Sequence, residues 1–565
     1  MSEKYYLGLN YIGHDASASI LKDGELLASA MEERFTREKK SRDFPINAIQ
    51  SCLKQTHLSL EDIDIITFYF DTKLFFEKKL EYIARYYPRS MGLAKNFLDT
   101  AYVFEGVKKE IREKLDFLGE IYFCDHHKAH IASTYFLSNF KEDCAFISID
   151  GLGESKSTVL GEVKDNQIHE VSYVEFPHSL GLLYNALTHY LGFNAISDAG
   201  KVMGLSSYGD PEVFINDFRK IVSFGHRGTF KFDLDYFAYP FMRNVWISNL
   251  FEDKFGKRRI FPEELNERYE NVAAGLQTIV EETFDHMCKF LNEEYDHKNL
   301  CLAGGVALNS VSNGKLIEKG YFKNIFIPPA CGDDGLSFGA PLYHNFCVRK
   351  RTKRYPLKNA FMGYEYTDEE MLRAIQKFNF RHNKPDDICE AVARLVSSDN
   401  IVGWYQGRME MGPRALGNRS ILANPMNPNM KDIVNSRVKF REPFRPFAPS
   451  VLREHSKEWF EVDYPAPYML FVFKVKEDKR KLVPAITHVD GTGRLQTVTK
   501  EFNPKYHKMI DSFRKITGVP MILNTSFNIK GEPIVESPTD AIRCFLGNGI
   551  DYLALGNYLV KKESF

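Results

Sequence analysis

Short apolar stretches that end in a glycine turn recur along the chain and predict β-strands followed by tight turns. Residues 5–10 are apolar and lead into Gly13, and residues 144–149 lead into Asp150 and Gly151. After each turn the pattern predicts a further strand, at residues 17–21 and 157–163. Two similar strand–turn–strand units separated by helical sequence favour an α/β fold with duplicated halves.

Longer periodic segments predict helices between and after these strands. Apolar residues recur among charged ones over residues 72–114 and 269–295, and a buried strand is expected at 299–302. Residues 214–255 are aromatic and irregular. We expect there a lid or specificity insertion or, as the simpler alternative, a locally packed subdomain.

A basic run at residues 348–354 breaks the apolar periodicity just before Pro356 and predicts a charged linker. We therefore expect one domain over residues 1–346, a linker over 347–358 and a second α/β domain over 359–565. The length of 565 residues is too great for one hydrophobic core, which agrees with this division.

The composition excludes some classes of partner. Lys plus Arg is 74 and Asp plus Glu is 75, so no net charge favours nucleic acid or an anionic membrane. The nine cysteines include no CxxC pair, which indicates reduced thiols. The first residues do not resemble a signal peptide, and no apolar run is long enough to span a bilayer. We expect a soluble, cytoplasmic protein.

A histidine pair predicts a metal site. His126 and His130 in the run DHHKAH are about one helical turn apart, so both can face one ion. Asp150 and Asp333 each lie in a tight turn after a strand and could complete the set. Imidazole with carboxylate suits Fe(II), Mn(II) or Zn(II). Two alternatives stay open, namely that the histidines are exposed and that His127 replaces His126.

Two further turns contain candidate nucleotide-binding or catalytic residues. Gly304 and Gly305 lie between a strand and a helix, where the backbone can approach a nucleotide closely. The chain has no GxxxxGK[ST] motif, so an ATP site would not be of the P-loop type. His14 follows Gly13 and could act as a base near neutral pH, with a structural histidine as the alternative.

Basic and polar blocks in the last third predict an anion site. Residues 408–420 place three arginines around two glycines, and residues 437–447 alternate cations with apolar residues. If the second block is a strand, four cations share one face and require an anion such as phosphate. These are Arg437, Lys439, Arg441 and Arg445. Arg494 and the polar residues at 524, 526 and 528 could join them.

In this order, ten segments together resemble one family, the O-carbamoyltransferases of the nodulation and antibiotic-tailoring type. The segments are GHDAS, ERFTREK, DHHKAH, SIDGLGE, GKVMGLSSYG, LAGGVALN, CGDDG, GRMEMGPRALGNRS, KFREPFRPFAPS and LNTSFN. The resemblance implies an N-terminal domain of the actin-like ATPase superfamily, similar to the tRNA threonylcarbamoyl transferase subunit. It also implies a C-terminal YrdC-like domain, similar to the enzyme that makes threonylcarbamoyl-adenylate.

The resemblance also implies a reaction. The C-terminal domain would convert carbamoyl phosphate and Mg-ATP to carbamoyl-adenylate, and the N-terminal domain would pass the carbamoyl group to a hydroxyl. The acceptor would be a small molecule, such as a secondary metabolite or a sugar. Among the metals Fe(II) is favoured, with Mn(II) or Zn(II) as options. No nucleic acid or membrane partner is expected, and the oligomeric state stays open, a homodimer included.

The same resemblance assigns roles to individual residues. His14 would be the catalytic base that removes the hydroxyl proton, and the metal would be held by His126, His130, Asp150 and Asp333. The adenylate would be bound by Lys39, Lys201, Gly304, Gly305 and Asn309. Carbamoyl phosphate and ATP would be bound by Arg414, Lys439, Arg441, Arg445, Arg494, Asn524, Ser526 and Asn528.

Three other classes of protein compete with this interpretation. A sugar kinase or chaperone-type ATPase would explain the first domain but not the C-terminal cations. A tRNA modification enzyme of the threonylcarbamoyl type would need a basic face, which the balanced charge does not favour. A non-catalytic binding module would have no use for so complete a set of polar motifs.

Overall fold

The computed structural model describes residues 3–562, which form two compact units. Unit 1 takes the residues up to Gly13, Ser17–Leu27 and His57–Pro356. Unit 2 takes His14–Ala16, Ala28–Thr56 and the residues from Leu357 onward. The sequence interpretation places residues 28–56 in the first domain, whereas here they pack with unit 2.

Labels for strands and helices run in chain order. Up to Pro356 the strands are β1 Tyr5–Asn10, β2 Ser17–Lys22, β3 Glu25–Met31, β4 Ile65–Phe68, β5 Glu120–Phe123, β6 Cys144–Ile149, β7 Lys156–Lys164, β8 Gln167–Glu175, β9 Val222–Phe224, β10 Phe230–Phe232, β11 Asn299–Ala303 and β12 Asn324–Phe326. The α-helices are α1 Glu33–Thr36, α2 Ile46–Thr56, α3 Thr72–Arg85, α4 Met91–Leu115, α5 His126–Tyr135, α6 Leu180–Tyr190, α7 Ala199–Leu205, α8 Ile215–Ile221, α9 Asn249–Phe255, α10 Glu267–Glu294, α11 Ser310–Lys319 and α12 Leu336–Tyr343.

Two five-stranded sheets with the same topology lie in this part of the chain. The first has the order β3-β2-β1-β4-β5 and the second β8-β7-β6-β11-β12. In both, the central strand pairs antiparallel with a hairpin partner on one side and parallel with a later strand on the other. The predicted duplication of an α/β half is therefore confirmed.

Close backbone packing positions the helix that carries the histidine pair. A Cβ atom on Gly339 of α12 would lie 2.1 Å from the carbonyl oxygen of Ala129 in α5. A Cβ atom on Gly8 of β1 would lie 1.7 Å from the carbonyl oxygen of Ser337 in α12. Since neither contact leaves room for a side chain, β1, α12 and α5 are packed with their backbones close together.

The aromatic segment 214–255 is packed locally. It contains α8, α9 and the β9–β10 hairpin, joined by short turns. Phe230, Phe237 and Phe251 are at most 2% exposed. This matches the subdomain alternative and not a loose lid.

The basic segment at residues 348–354 is bound to unit 1 and is not a free linker. Arg354 Nη1 donates to the carbonyl oxygen of Phe140 (2.7 Å), and Nη2 donates to that of Ser138 (2.9 Å). Arg349 Nη1 donates to the Tyr6 hydroxyl over 3.1 Å. Arg354 thus donates to backbone carbonyl oxygens and Arg349 to a side-chain hydroxyl, contacts that sequence periodicity does not predict.

Unit 2 contains a mixed nine-stranded sheet of order β14-β23-β22-β15-β17-β21-β18-β20-β19, with β13 paired to β16 beside it. The strands are β13 Phe361–Glu365, β14 His382–Asn383, β15 Val402–Tyr405, β16 Arg408–Glu410, β17 Arg419–Ala423, β18 Ala448–Leu452, β19 Phe471–Lys474, β20 Thr492–Val498, β21 Met521–Ser526, β22 Tyr552–Leu555 and β23 Tyr558–Lys561. The helices are α13 Asp368–Lys377, α14 Ile388–Ser397, α15 Met430–Val434, α16 Ser456–Trp459, α17 Glu477–Arg480, α18 Pro504–Thr517 and α19 Pro538–Leu546. Both units are thus α/β, as predicted. Within residues 3–562, the structure contains no helix that combines the length and the apolarity required to cross a bilayer.

Candidate metal centre and anion site

The histidine pair lies at the start of a short buried helix. The Asp125 side chain caps α5 by accepting from the Lys128 backbone N–H over 2.8 Å, so the helix begins at His126. His126 and His130 follow one turn apart and are at most 1% exposed. The alternative of two surface histidines is therefore wrong.

Two carboxylates from the second sheet and a neighbouring turn complete the set. Asp150 follows the last residue of β6, and Asp333 begins a 3₁₀ turn that leads into α12. One donor atom from each of the four residues lies within 4.8 Å of the others. His126 Nε2 is 3.1 Å from Asp150 Oδ2, and His130 Nε2 is 3.5 Å from Asp333 Oδ1.

These distances suit donor atoms around one divalent ion. Two donors that each bind an ion at about 2.1 Å lie roughly 3.0–3.4 Å apart at octahedral or tetrahedral angles. Neither ring nitrogen of His130 has a well-formed hydrogen bond among residues 3–562, although both are buried. A buried, unsatisfied imidazole beside carboxylates is what a ligand set presents.

The charges of the cluster agree with a cation site. Burial alone would lower the pKa of His130, but the adjacent Asp150 and Asp333 carboxylates raise it to about 9. Burial would raise the pKa of Asp150, yet His126 and His130 hold it well below its ordinary value. The two buried carboxylates thus draw positive charge, from protonated imidazole or from a metal ion. Hence the residues present fit a divalent metal.

The uncertainty between His126 and His127 is resolved by their hydrogen bonds. The His127 ring lies between the Ser148 hydroxyl (Nδ1, 2.8 Å) and the Lys156 carbonyl oxygen (Nε2, 2.9 Å). Burial and the neighbouring His126 lower the pKa of His127 to about 3, so it is neutral. Both of its ring nitrogens are used, and His126 is the residue that faces the cluster.

Glu154, which the sequence motifs did not single out, holds the backbone of the candidate ligand His126 in place. Glu154 Oε1 accepts from the backbone N–H groups of His126 (3.1 Å) and Asp71 (2.8 Å). Burial raises the pKa of this carboxyl group well above its ordinary value, and the negative charge of Asp125 raises it further. The only sequence signal was its place four residues after Asp150 in SIDGLGE.

The glycine turn contacts the metal carboxylate directly. The Gly305 backbone N–H donates to Asp150 Oδ1 over 2.8 Å. Gly304 has φ +92°, and a Cβ atom there would lie 2.1 Å from the Ile149 carbonyl oxygen, so only glycine fits. Asn309 caps α11 and exchanges hydrogen bonds with Gln277. These predicted adenylate residues therefore lie beside the metal cluster or support the helix that follows it.

Lys201 lies on α7, apart from the four-residue cluster. Its ammonium is 3.0 Å from the Asp198 carboxylate and 5.2 Å from the centre of the Phe193 ring.

In unit 2, the predicted phosphate residues surround one buried lysine. Lys439 Nζ donates to the carbonyl oxygens of Ser526 (2.9 Å) and Asn528 (3.1 Å) and to Asn528 Oδ1 (2.7 Å). Burial lowers the pKa of Lys439 well below its ordinary value, and Arg441, Lys39 and Arg445 lower it further. Lys39, predicted to bind the adenylate, thus belongs to unit 2 and its charge reaches this lysine.

The arginines of this site repel one another. Burial lowers the pKa of Arg441 to about 9, and Arg445 adds to the effect. Burial also lowers the pKa of Arg494 well below its ordinary value. The positive charges of Arg414, Arg441 and Arg445 lower it further. Glu442 provides one carboxylate nearby, 3.9 Å from Arg445. Clustered, desolvated cations of this kind require an anion.

The strand predicted at residues 437–447 is wrong. Residues 435–439 form a π-helical turn, and Phe440 then takes a left-handed conformation with φ 45°. Arg437, on this turn, is exposed and pairs with Asp551 over 3.1 Å. It does not join the other cations, whose convergence comes from the turn and not from strand alternation.

Three residues near the GPRALGN segment have structural roles that the sequence did not show. Arg408 donates to the Gly363 carbonyl oxygen (3.0 Å), and the buried Arg419 donates to backbone carbonyls at residues 406 and 407. Asn524 Nδ2 donates to the Ala415 carbonyl oxygen (3.2 Å) and to side chains of β18 and β20. Asn524 therefore fixes the loop that carries Arg414.

The predicted base belongs to unit 2. His14 Nδ1 is 2.9 Å from Asp15 Oδ2, which also binds Lys40 Nζ at 2.6 Å. Burial would raise the pKa of Asp15, but Lys40 and His14 lower it, so the carboxylate is charged beside the imidazole. Within unit 1, Gly13 directly before it lies near Asp333, because a Cβ atom on Gly13 would be 4.0 Å from Asp333 Oδ2.

The structure thus contains a buried His/Asp cluster in a duplicated α/β unit and a buried cation cluster in a second α/β unit. Residues 5–342 match the family model described as carbamoyltransferase N-terminus, and residues 393–562 match that described as carbamoyltransferase C-terminus. The chain belongs to the carbamoyltransferase family and is a transferase.

Full-length relatives agree. The chain is 38% identical to an uncharacterized protein of Synechocystis sp. over 99% of this chain and 97% of the relative. It is 36% identical to nodulation protein NolNO of Sinorhizobium fredii over 98% of this chain and 80% of the relative. It is 32% identical to an uncharacterized protein of Methanocaldococcus jannaschii over 97% of this chain and 98% of the relative.

Similarity to solved structures is slight. Component A of (R)-2-hydroxyglutaryl-CoA dehydratase of Acidaminococcus fermentans is 13% identical, with 61% of this chain and 99% of that chain covered and a TM-score of 0.34. HypF of T. kodakarensis is 14% identical, with 62% and 48% covered and a TM-score of 0.32.

Proposed function

We propose that the protein is an ATP-dependent O-carbamoyltransferase that uses carbamoyl phosphate and acts on a small hydroxylated molecule. The cation cluster of unit 2 would serve the formation of carbamoyl-adenylate, and the His/Asp cluster of unit 1 would serve the transfer of its carbamoyl group. The observation that carries the proposal is the presence of two buried charged sites of opposite character. One is the His/Asp cluster of unit 1, and the other is the cation cluster around Lys439 in unit 2.

In the first half-reaction, water cleaves carbamoyl phosphate to carbamate and phosphate. A carbamate oxygen then attacks the α-phosphorus of ATP, and the bond to the bridging oxygen breaks, so that pyrophosphate leaves. Both steps handle several negative charges at once. Burial and neighbouring cations lower the pKa values of Lys439, Arg441 and Arg494, and phosphate oxygens would offset their positive charge.

In the second half-reaction, the acceptor hydroxyl oxygen attacks the carbamoyl carbon, and the bond to the phosphate oxygen breaks, so that AMP leaves. The hydroxyl proton would go to His14, whose imidazole is held by the charged Asp15. His126, His130, Asp150 and Asp333 would hold a divalent metal that binds an adenylate phosphate oxygen and offsets its charge. Gly305 would keep Asp150 oriented through its N–H.

A product assay tests the proposal. The purified protein is incubated with Mg-ATP, carbon-labelled carbamoyl phosphate and a panel of hydroxylated metabolites. We expect AMP and pyrophosphate to form only when carbamoyl phosphate is present, and the label to appear in an acceptor. Formation of ADP, or of pyrophosphate without carbamoyl phosphate, would contradict the proposal and favour a kinase-type or other ATPase.

A further inference from the structure

A cavity in unit 1, apart from the four-residue His/Asp set, is lined by residues typical of an anion-binding site. Its volume is about 270 Å³, and it opens at the C-terminal end of α6. It is lined by His189, Gly192, Phe193, Arg258, Arg259 and Ile260. The lining includes two arginines, one histidine and one aromatic ring, and no carboxylate.

One arginine of this cavity is fixed in place. Arg259 Nε donates to the Glu263 carbonyl oxygen (2.7 Å), and Nη1 donates to the Leu191 carbonyl oxygen (3.1 Å). Its guanidinium lies 5.4 Å from the centre of the Phe193 ring. These contacts hold the positive charge beside the ring without neutralising it, because carbonyl oxygens carry no net charge.

The histidine of the cavity lacks a protein partner. His189 Nδ1 is buried and has no hydrogen-bond partner within residues 3–562. Burial, followed by the charge of Arg258, lowers the pKa of His189. A buried ring nitrogen without a partner costs about 1–3 kcal/mol.

The same helix connects this cavity to the metal centre. Ser179 caps α6 at its start, and its hydroxyl donates to the carbonyl oxygens of Asp150 (3.2 Å) and Gly151 (2.6 Å). His189 lies ten residues further along, which is roughly 15 Å of helix at 1.5 Å per residue. A ligand that reaches both ends of α6 must therefore be elongated.

We propose that this cavity binds the phosphate group of an elongated acceptor whose hydroxyl is carbamoylated at the centre of His126, His130, Asp150 and Asp333. This inference rests on the proposed function. Arg258 and Arg259 place two guanidinium groups along one cavity beside His189, and a phosphate dianion offers two negative charges to such a pair where a carboxylate offers one. Phe193 offers a face on which a ring attached to the phosphate can stack. The acceptor class is therefore a phosphate-bearing hydroxylated molecule, such as a nucleotide-linked or phosphorylated sugar.

The test uses phenyl phosphate as the probe and the full chain labelled with ¹³C-histidine. The His189 resonance is assigned by its loss in His189→Gln. We expect phenyl phosphate to shift this resonance and to raise the pKa of His189. Because the readout is local, phosphate bound at the cation cluster of unit 2 does not affect it. Absence of a shift at a saturating probe concentration would overturn the inference.

Two variants and a second probe make the result specific. Arg258→Ala should weaken phenyl phosphate binding at least about tenfold, the loss of one charge-assisted contact. Lys257→Ala is the matched control, since Lys257 pairs with Glu252 (3.1 Å) and does not line the cavity. If both variants bind phenyl phosphate equally weakly, the loop attracts anions only through its overall positive charge, and the proposed site is refuted. An equal shift with benzoate would show carboxylate recognition and would refute the phosphate class.

Failure of the proposed function would be seen separately. Pyrophosphate release by the wild-type protein reports on unit 2, and the histidine resonance reports on the cavity. If pyrophosphate is not released but the resonance shifts, the proposed function fails and the anion site stands. If pyrophosphate is released and the resonance does not shift, only the acceptor inference fails.

Discussion

Replacing Arg441 with methionine should make the protein without bound anions more stable and its adenylate-forming activity much weaker. Arg441 is largely buried among other cations, and its guanidinium stacks on Phe447 at 4.4 Å. Methionine keeps most of the aliphatic contact with that ring and removes the charge. Opposite effects on stability and activity are expected when a charge is retained for function at a cost to the fold.

The structure sets the size of the effect. The pKa of Arg441 is about 9, against 12.5 for an exposed arginine. That difference corresponds to a cost of at most about 5 kcal/mol, reduced by solvent screening because the side chain is partly exposed. The variant also loses hydrogen bonds to Asn435 Oδ1 (2.7 Å) and to the Pro446 carbonyl oxygen (3.2 Å), worth about 1 kcal/mol each. We expect a net gain of about 1–3 kcal/mol in the free energy of unfolding.

The sign of the pH dependence follows from the lowered pKa. Below a pH of about 9 the folded protein holds Arg441 protonated and carries the full cost. The cost falls as the pH rises from 9 toward 12.5, because the unfolded chain then binds the proton more strongly. The gain in Arg441→Met is therefore complete at pH 7.

Urea unfolding at pH 7, with and without inorganic phosphate, measures the stability. Phosphate should stabilise the wild type more than the variant, since it binds the folded cation cluster. Carbamoyl phosphate-dependent exchange of pyrophosphate into ATP should fall about 10- to 100-fold in the variant. Arg437→Met is the matched control, because Arg437 pairs with Asp551 at the surface and should change stability by less than about 0.5 kcal/mol. A variant that is destabilised without phosphate, or that retains full exchange, would refute this account of the cluster.

Three further predictions concern unit 1 and the proposed base. His130→Gln should reduce the divalent metal content of the purified protein from about one ion per chain to a small fraction, measured by plasma emission spectroscopy; unchanged content would place the metal elsewhere. His14→Asn should abolish transfer to the acceptor while pyrophosphate release continues; loss of both would show that the role is misassigned. Lys79 is buried within 5.2 Å of three phenylalanine rings, and burial lowers its pKa to about 7. Lys79→Met should therefore raise the free energy of unfolding by about 2–4 kcal/mol at pH 6, with a smaller gain as the pH rises toward 10.5; Lys73→Met, at an exposed position of the same helix, should show no such trend.

The convergence of His126, His130, Asp150 and Asp333 was largely predictable because it follows local rules. The four-residue spacing of His126 and His130 places both on one helix face, and Asp150 and Asp333 follow strands where turns expose carboxylates. The duplicated sheets were predictable for the same reason, since strand periodicity and glycine turns are local signals.

Features that depend on distant contacts were not predictable. The left-handed residue Phe440 converts an expected strand into a reversal, and no local pattern requires it. Glu154 holds the backbone of His126 from 28 positions away in the chain. Arg354 looks like a linker charge but donates to carbonyl oxygens more than 200 positions earlier. Each of these depends on which backbone groups tertiary packing leaves unsatisfied.

The central claim is that the His/Asp cluster of unit 1 and the cation cluster of unit 2 serve different half-reactions, and pyrophosphate exchange in two variants tests it most directly. His130→Gln alters only the metal cluster of unit 1, and Arg441→Met alters only the cation cluster of unit 2. Exchange is measured with carbamoyl phosphate and without acceptor. The account predicts that His130→Gln retains exchange near the wild-type rate and that Arg441→Met loses it. Loss in both variants, or retention in Arg441→Met, would contradict the division of labour.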